Sequence, residues 1–248
     1  MIKMQHWIVT RFNLGLYRVK RTLPDWFDKR IEIFGNYTVP SIQSQTIRNF
    51  RWLILIDADT PKKHGNKIAD IITKSNLPVD IFPLKLQDGW QAKTYGERTS
   101  CEIEYKEVRN FIRDQSTAAI QTRLDNDDML MPRAIQTIQE NSPSVKSRYS
   151  IDFINGYLWD KQKNKMYSIN HKEGTPFISL YQKCDKTFRF IYDSIHSKMY
   201  KNTPIVIKPD PIWCMVIHDH NCSNTLFDWM NPNEIQQDYI LRKIGIIK

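Results

Sequence analysis

Gln121-Thr122-Arg123-Leu124-Asp125-Asn126-Asp127-Asp128 is the stretch whose reading decides the fold. Ahead of it, Ser116-Thr117-Ala118-Ala119-Ile120 is small and apolar, the composition of a short buried strand. Beyond it, Pro132 opens a helix predicted over 132–140, because proline is tolerated in a first helical turn. Strand, acidic turn, helix is the order found at the carboxyl end of a strand in an α/β sheet, where such folds bind ligands. Asp125, Asp127 and Asp128 crowd three carboxylates onto one short arc, where they repel one another. A divalent cation offsets that repulsion, and hard oxygen ligands suit Mg²⁺ or Mn²⁺. The alternative is a solvated acidic turn in which Asp125 or Asn126 acts as a cap.

Thr122 through Asp128 resembles the acidic signature of the putative rhamnosyltransferase family, glycosyltransferases with the nucleotide-sugar-binding GT-A type of fold. Further stretches are similar in the same order: Thr10-Arg11-Phe12-Asn13, Pro40-Ser41-Ile42-Gln43-Ser44-Gln45, Trp52 to Pro61, Pro176-Phe177-Ile178-Ser179-Leu180, and Trp213 to Asn224. The resemblance implies one α/β glycosyltransferase domain over 1–248, with a Rossmann-like N-terminal half and a mixed central sheet. It implies metal-dependent transfer of a sugar, rhamnose among the candidates, from a nucleoside-diphosphate sugar to a hydroxyl, with inversion expected. The acceptor would be a glycan, a lipid-linked glycan or a protein. Asp125, Asp127 and Asp128 would hold Mn²⁺ or Mg²⁺, which bridges the diphosphate and stabilises charge on the leaving group. His218 matches the family's histidine and is implied as a further metal ligand or diphosphate contact. Arg123 and Asp125 are implied donor contacts, Asp125 at the metal or the ribose. Asp219 and His220 stand where similar relatives have glycines.

Upstream, His6-Trp7-Ile8-Val9 reads as the first strand, closed by Thr10, Arg11 and Asn13, where a base or ribose lies in a doubly wound half-domain. The competing reading makes Arg11 a surface ion pair and Asn13 a turn. Asp25 to Arg30 reads as a loop or short helix, 30–47 as irregular, with a helix beginning at Pro40. Phe50 to Ile56 is almost continuously apolar, as a central parallel strand should be. Asp57 and Asp59 follow it and are candidates for the base or ribose. Two aspartates around one residue also mark aspartyl phosphatases, but there the threonine falls two places beyond the second, and Thr60 adjoins Asp59. A helix is predicted over 62–75, a strand over 79–82, and a helix over 102–114. Between them, 85–99 reads as a mobile loop from which Lys93 and Arg98 reach donor phosphates, unless both are ordinary surface charge. No glycine-rich phosphate loop occurs, so phosphate must be met by metal and side chains.

Downstream of residue 131, the nucleotide-binding half gives way to an acceptor-side half over 132–248. Strands are predicted over 149–154 and 156–160, the latter turning back into a hairpin over 165–169, then over 177–181 and 213–217. His218 and His220 project to one side of the last strand's end. An inverting reaction needs a base for the acceptor hydroxyl. Asp193 and Asp210 are the candidates, Asp193 first because aromatic neighbours shield it. Leu226 to Met230 reads as a lid, and 235–247 as a terminal helix.

Composition is compatible with this reading and narrows the rivals. At 248 residues, 41% of them hydrophobic, the chain builds one large core. A net charge of +9 suits a nucleotide diphosphate, an anionic glycan, a membrane surface or nucleic acid. No apolar run is long enough to span a bilayer, although its basic end allows peripheral membrane contact. The first nineteen residues carry Lys3, His6, Arg11 and Arg18 and lack a signal-peptide core, so a cytoplasmic location is expected. Cys101, Cys184, Cys214 and Cys222 lack metal or disulfide spacing and are read as free thiols. A sugar-phosphate nucleotidyltransferase is the rival enzyme, but it needs an early glycine-rich basic loop, where this chain has Gly15 alone. A nucleic-acid-binding module is the rival outside enzymes, and the acidic turn would repel a phosphate backbone.

Overall fold

A strand buried on both faces belongs inside a parallel sheet, and two such strands set the architecture of this chain. Met4–Arg11 (β1) and Arg51–Asp57 (β2) pair in parallel, from Trp7 opposite Arg51 to Arg11 opposite Leu55. The computed structural model describes residues 4–14, 24–85, 93–95, 98–100, 105–142, 148–172, 174–194, 196, 198, 204–207, 210–219, 221 and 224–247. For 93–95 and 98–100 it describes the backbone only.

Val79–Leu84 (β3) flanks β2 in parallel. Lys93–Tyr95 (β4) and Arg98–Ser100 (β5) form a separate antiparallel pair. Ala118–Arg123 (β6), buried along its whole length, lies parallel to β1 on its other side. Met129–Leu130 (β7) follows the acidic turn. Then come Tyr149–Phe153 (β8), Asn155–Asp160 (β9), Lys165–Asn170 (β10) and Ser179–Lys183 (β11). Pro204–Ile207 (β12), Trp213–Ile217 (β13) and Asn233–Ile235 (β14) complete the set. The larger sheet has the order β12-β8-β11-β6-β1-β2-β3, in which β11 runs against its neighbours, so the sheet is mixed, as expected. The smaller sheet has the order β14-β10-β9-β13-β7 and contains the predicted β9–β10 hairpin. Strands from both sides of residue 131 share the larger sheet.

The helices are Pro24–Ile33 (α1), Val39–Gln43 (α2), Lys62–Ser75 (α3), Lys106–Gln115 (α4), Ala134–Glu140 (α5) and Gln237–Ile244 (α6). Their sheet contacts follow the two-residue alternation of β1. Ile8 joins Phe27, Phe34 and Ile135 on one face. Trp7 and Val9 join Val108 and Ile112 of α4 on the other.

Two expectations are corrected. The helical alternative holds for Asp25 to Arg30, and the span beyond it, read as irregular up to Pro40, is helical as well: helix runs from Pro24 to Gln43 through a π turn over Phe34–Thr38. A proline ring clashes with the carbonyl four residues back in an α-helix, and the wider turn just ahead of Pro40 relieves that clash. The acidic turn leads into β7 before any helix, because Met129 and Leu130 pair with Cys214 and Trp213 of β13. The helix therefore starts at Ala134 rather than Pro132.

Gly156 marks a close approach between β9 and β13 in the smaller sheet. A Cβ at this position would lie 2.3 Å from Cε3 and Cζ3 of Trp213. That ring cannot retreat: it stacks on Phe177 at 4.6 Å, and its Nε1–H donates to the Phe153 carbonyl at 2.6 Å. Gly156→Ala is expected to destabilise the fold by about 3 kcal/mol through overpacking. Thermal unfolding should show a melting temperature lower by roughly 10 °C.

Candidate active site

Because β1, β2 and β6 are parallel, the residues at their carboxyl ends share one edge of the sheet. Three of the expected nucleotide contacts there are engaged in joining the strands. Thr10 Oγ1 accepts a hydrogen bond from Trp52 Nε1 at 2.9 Å. The Asn13 amide donates to Thr60 Oγ1 at 3.0 Å while its oxygen accepts the Asp57 N–H at 3.0 Å. The Asp57 carboxylate accepts the Asp59 N–H at 2.9 Å. Asp59 itself is exposed. Thr10, Asn13 and Asp57 are buried and lock the ends of β1 and β2 to each other.

Arg11 and Arg123 do something different. Their guanidinium carbons lie 4.2 Å and 4.6 Å from the centroid of one ring, Tyr192. The ring is pinned because its hydroxyl donates to the Val9 carbonyl at 3.1 Å, and burial pushes the phenol up to about 12, so it stays neutral. Tyr105 adds a hydrogen bond to Arg11. Asp125, half-buried, lies within electrostatic reach of Arg11, Tyr192 and His196. Burial first, then the Arg123 charge, presses His196 down to about 4, so it is neutral at pH 7. Among the described residues, neither arginine is in a contact ion pair with a carboxylate.

The other two aspartates of the turn diverge. Asp127 Oδ2 accepts from Arg30 Nη1 at 2.5 Å and from the Asn221 amide at 3.0 Å, with His218 Nε2 3.1 Å away. Burial alone would raise this carboxyl; the Arg30 guanidinium, then His218, outweigh it and hold it down to about 2. Asp128 Oδ1 instead accepts the Val216 N–H at 2.9 Å and the Asn224 amide at 3.3 Å. Burial, then the charges of Asp127 and Asp125, drive the Asp128 carboxyl well above the usual carboxylate range. Asn126 caps the turn, its amide donating to the Phe12 carbonyl at 2.8 Å while its own carbonyl accepts the Thr38 hydroxyl at 3.0 Å.

Of the four side chains expected to hold Mn²⁺ or Mg²⁺, the fold thus brings two into contact, Asp127 and His218, with Arg30 beside both. Asp128 is turned to β13, where its Oδ1 accepts the Val216 N–H, and Asp125 belongs to the Arg11–Tyr192 cluster. Among the described residues, no three His, Cys, Asp or Glu side chains come together as a metal-binding group. This donor set does not fit a divalent ion.

Of the expected bases, Asp193 has both oxygens engaged: Oδ1 with Arg109 Nη2 at 2.8 Å and Oδ2 with the Phe190 N–H at 2.8 Å. Asp210 is exposed, within electrostatic reach of Tyr157 and Lys243. The side chains of Lys93 and Arg98 lie outside the described residues, as do His220, Cys101 and Cys222. Cys184 and Cys214 are free thiols, as expected.

Sequence reasoning missed Arg30, the Tyr192 clamp, and the paired roles of Asn221 and Asn224. Arg30 left a signal. It stands four residues after Trp26, three after Phe27 and one before Ile31, on the apolar face of α1, where a cation needs a buried partner.

A model of the family described as putative rhamnosyl transferase matches residues 17–228. The chain belongs to that family. Its fold is mixed α/β, with Rossmann-like parallel strands at the centre of a mixed sheet. No curated protein matches this chain. Among solved structures, TarS from S. aureus is similar at 11% identity and a TM-score of 0.43, over 87% of this chain and 37% of TarS. This chain therefore spans little more than a third of the length of TarS. The inositol-1-phosphate CTP transferase from T. maritima is similar at 11% identity and a TM-score of 0.40, over 92% of this chain and 96% of that one. A putative glucose-1-phosphate thymidylyltransferase from Bacillus anthracis follows at 9% identity and 0.35, over 85% and 88% of the two chains. No helix among the described residues is long and apolar enough to cross a membrane.

The opposite states of Asp127 and Asp128 separate their isosteric variants. Asp127→Asn should cost about 3–5 kcal/mol near neutral pH, because Arg30 keeps its charge in a buried site without its counter-ion. The depressed Asp127 value means its contribution is fully present above the unfolded carboxyl value and is lost as pH falls through about 2. Asp128 has the reverse sign: its raised value favours the fold at low pH, and that contribution is lost as pH rises through its folded value. Asp128→Asn keeps the acceptor oxygen without the charge, so its melting temperature relative to wild type should rise as pH is raised. Thermal scans of both variants across pH check the pair.

Proposed function

We propose that this chain transfers a sugar from a nucleoside-diphosphate sugar to a hydroxyl of an acceptor glycan, holding the donor's diphosphate with Arg11 and Arg123. The observation that carries this reading is the pair of guanidiniums on one pinned tyrosine ring at the carboxyl ends of β1 and β6. Among the described residues, the two cations have one carboxylate within electrostatic reach, Asp125, which leaves positive charge to be met by an anionic ligand. A planar guanidinium offers paired N–H donors that match phosphate oxygens, and its charge persists at any working pH. As the bond to the sugar breaks, negative charge grows on the departing diphosphate. Donors held rigidly by Tyr192 and Tyr105 stabilise that charge without having to reorganise. Asp125, on the open side of the cluster, is suited to accept a ribose hydroxyl.

The acceptor side is assigned to the aromatic pair Phe227 and Trp229. Their rings stack at 5.6 Å and remain 46% and 36% exposed. His171 meets Trp229 edge-on at 5.2 Å, and Lys172 Nζ lies 4.8 Å from its centroid. Asn224, bonded to Asp128, joins this segment to the acidic turn. Exposed ring faces stack on the C–H faces of sugar rings, and Lys172 favours an anionic glycan.

A thermal-shift panel of UDP, dTDP, GDP and CDP tests the donor side, with rhamnosyl donors tried first for turnover on the strength of the family's name. One nucleotide should raise the melting temperature, and Arg123→Gln should weaken its binding by roughly 10- to 100-fold, the loss of a charged hydrogen-bonding group. No shift with any of the four would end this reading. Release of the free nucleoside diphosphate, rather than pyrophosphate, distinguishes sugar transfer from nucleotidyl transfer.

For the acceptor side, Trp229→Ala should raise the acceptor KM by about tenfold while kcat stays within about twofold, the pattern of lost uniform binding. An unchanged KM would remove the aromatic pair from the acceptor site.

A further inference from the structure

We infer that Arg30 is the resident cation of the acidic centre, standing where the sequence leads one to expect a divalent ion, and that this chain binds its donor nucleotide without a metal. The inference rests on the donor reading above and deepens it.

Three segments remote in sequence converge on one carboxylate oxygen. Arg30 comes from α1, 97 residues before Asp127, and His218 and Asn221 from the loop after β13, 91 and 94 residues beyond it. The Arg30 and Asp127 side chains are each 6% exposed, so the contact is shielded from solvent. Three nitrogens within 2.5–3.1 Å of Asp127 Oδ2 occupy the space a metal bound to that oxygen would need.

His218 Nε2 adds no ligand at this oxygen while Arg30 stays. Its Nε2 is 3.3 Å from Arg30 Nη1 as well as 3.1 Å from Asp127 Oδ2. If Nε2 carries the proton, it donates to Asp127 and has no lone pair to offer. If it does not, its lone pair faces the guanidinium. Asp128 Oδ1 is held by the Val216 N–H and the Asn224 amide.

Charge decides in the same direction. Arg30 pairs with Asp127 one to one in a buried contact, so that oxygen already has its countercharge without a dication. Arg30 does not need to touch the substrate for this role. It is a positioning residue that keeps Asp127, His218 and Asn221 in one arrangement while Arg11 and Arg123 face the donor.

The test reads metal uptake and nucleotide affinity separately. Calorimetry with UDP, dTDP, GDP and CDP is run in EDTA and again in MnCl₂, and Mn²⁺ uptake by the protein is followed by electron paramagnetic resonance. Wild type should take up no Mn²⁺ and should bind its preferred nucleotide with affinities equal within about twofold in the two buffers. Arg30→Ala, which frees Asp127 and His218, should gain Mn²⁺ uptake, whereas Arg30→Lys, which keeps the cation, should not. Mn²⁺ uptake by wild type that disappears in Asp127→Asn would overturn the inference, as would a nucleotide affinity that collapses in EDTA. Should Arg30→Ala not fold, wild type and Arg30→Lys decide the matter. Failure of every nucleotide to bind in either buffer would count against the donor reading alone, since Mn²⁺ uptake still reports on Arg30.

Discussion

The buried ion pair between Arg30 and Asp127 is the constraint on which the rest of this site depends. Removing both charges from water is costly, and their attraction offsets that cost only where further hydrogen bonds complete the geometry. Here they do: the Asn221 side-chain amide donates to the same oxygen, and its amide oxygen Oδ1 accepts the backbone N–H of His218. One oxygen atom thereby fixes α1, the acidic turn and the loop after β13 relative to one another. A change at any of the three would be felt at the other two, which is the behaviour expected of a connected polar network.

Environment separates aspartates that stand side by side in the chain. Asp125 is half-buried within electrostatic reach of Arg11; Asp127 is buried and held low, because Arg30 supplies the countercharge; Asp128 is buried against the β13 backbone, and burial beside two carboxylates pushes its carboxyl up. The same side chain thus serves as a half-open contact, a charged anchor and a backbone-bound acceptor. Such divergence among neighbouring carboxyls is a recurrent way to give one site several roles.

Much of the fold was legible where burial leaves an unmistakable pattern. β2 is almost continuously apolar and β6 begins small and apolar, as strands buried within a sheet do, and the β9–β10 hairpin is announced by the polar turn after Asp160. The segment from Pro24 to Gln43 was not legible, because Pro40 argues against a continuous helix unless a π turn precedes it, and nothing local signals that turn. β7 was hidden for another reason. Two residues, Met129 and Leu130, become a strand only because β13 arrives from the far end of the chain to pair with them. At the site, Arg11, Arg123 and Asp125 stood out as charges at strand ends. Arg30 did not, because its meaning depends on a partner remote in sequence.

The sequence by itself determined the central strands and the β9–β10 hairpin, the membership of the family, and the placing of charged side chains at the carboxyl ends of β1 and β6. Each of these follows from neighbouring residues, through periodicity, composition or a contiguous motif. Only the tertiary structure decided which aspartate is held low, which is pushed up, and which cation faces them. That choice turns on burial and on Arg30, 97 residues from Asp127, and long-range electrostatic pairing leaves no trace in the local pattern of either segment.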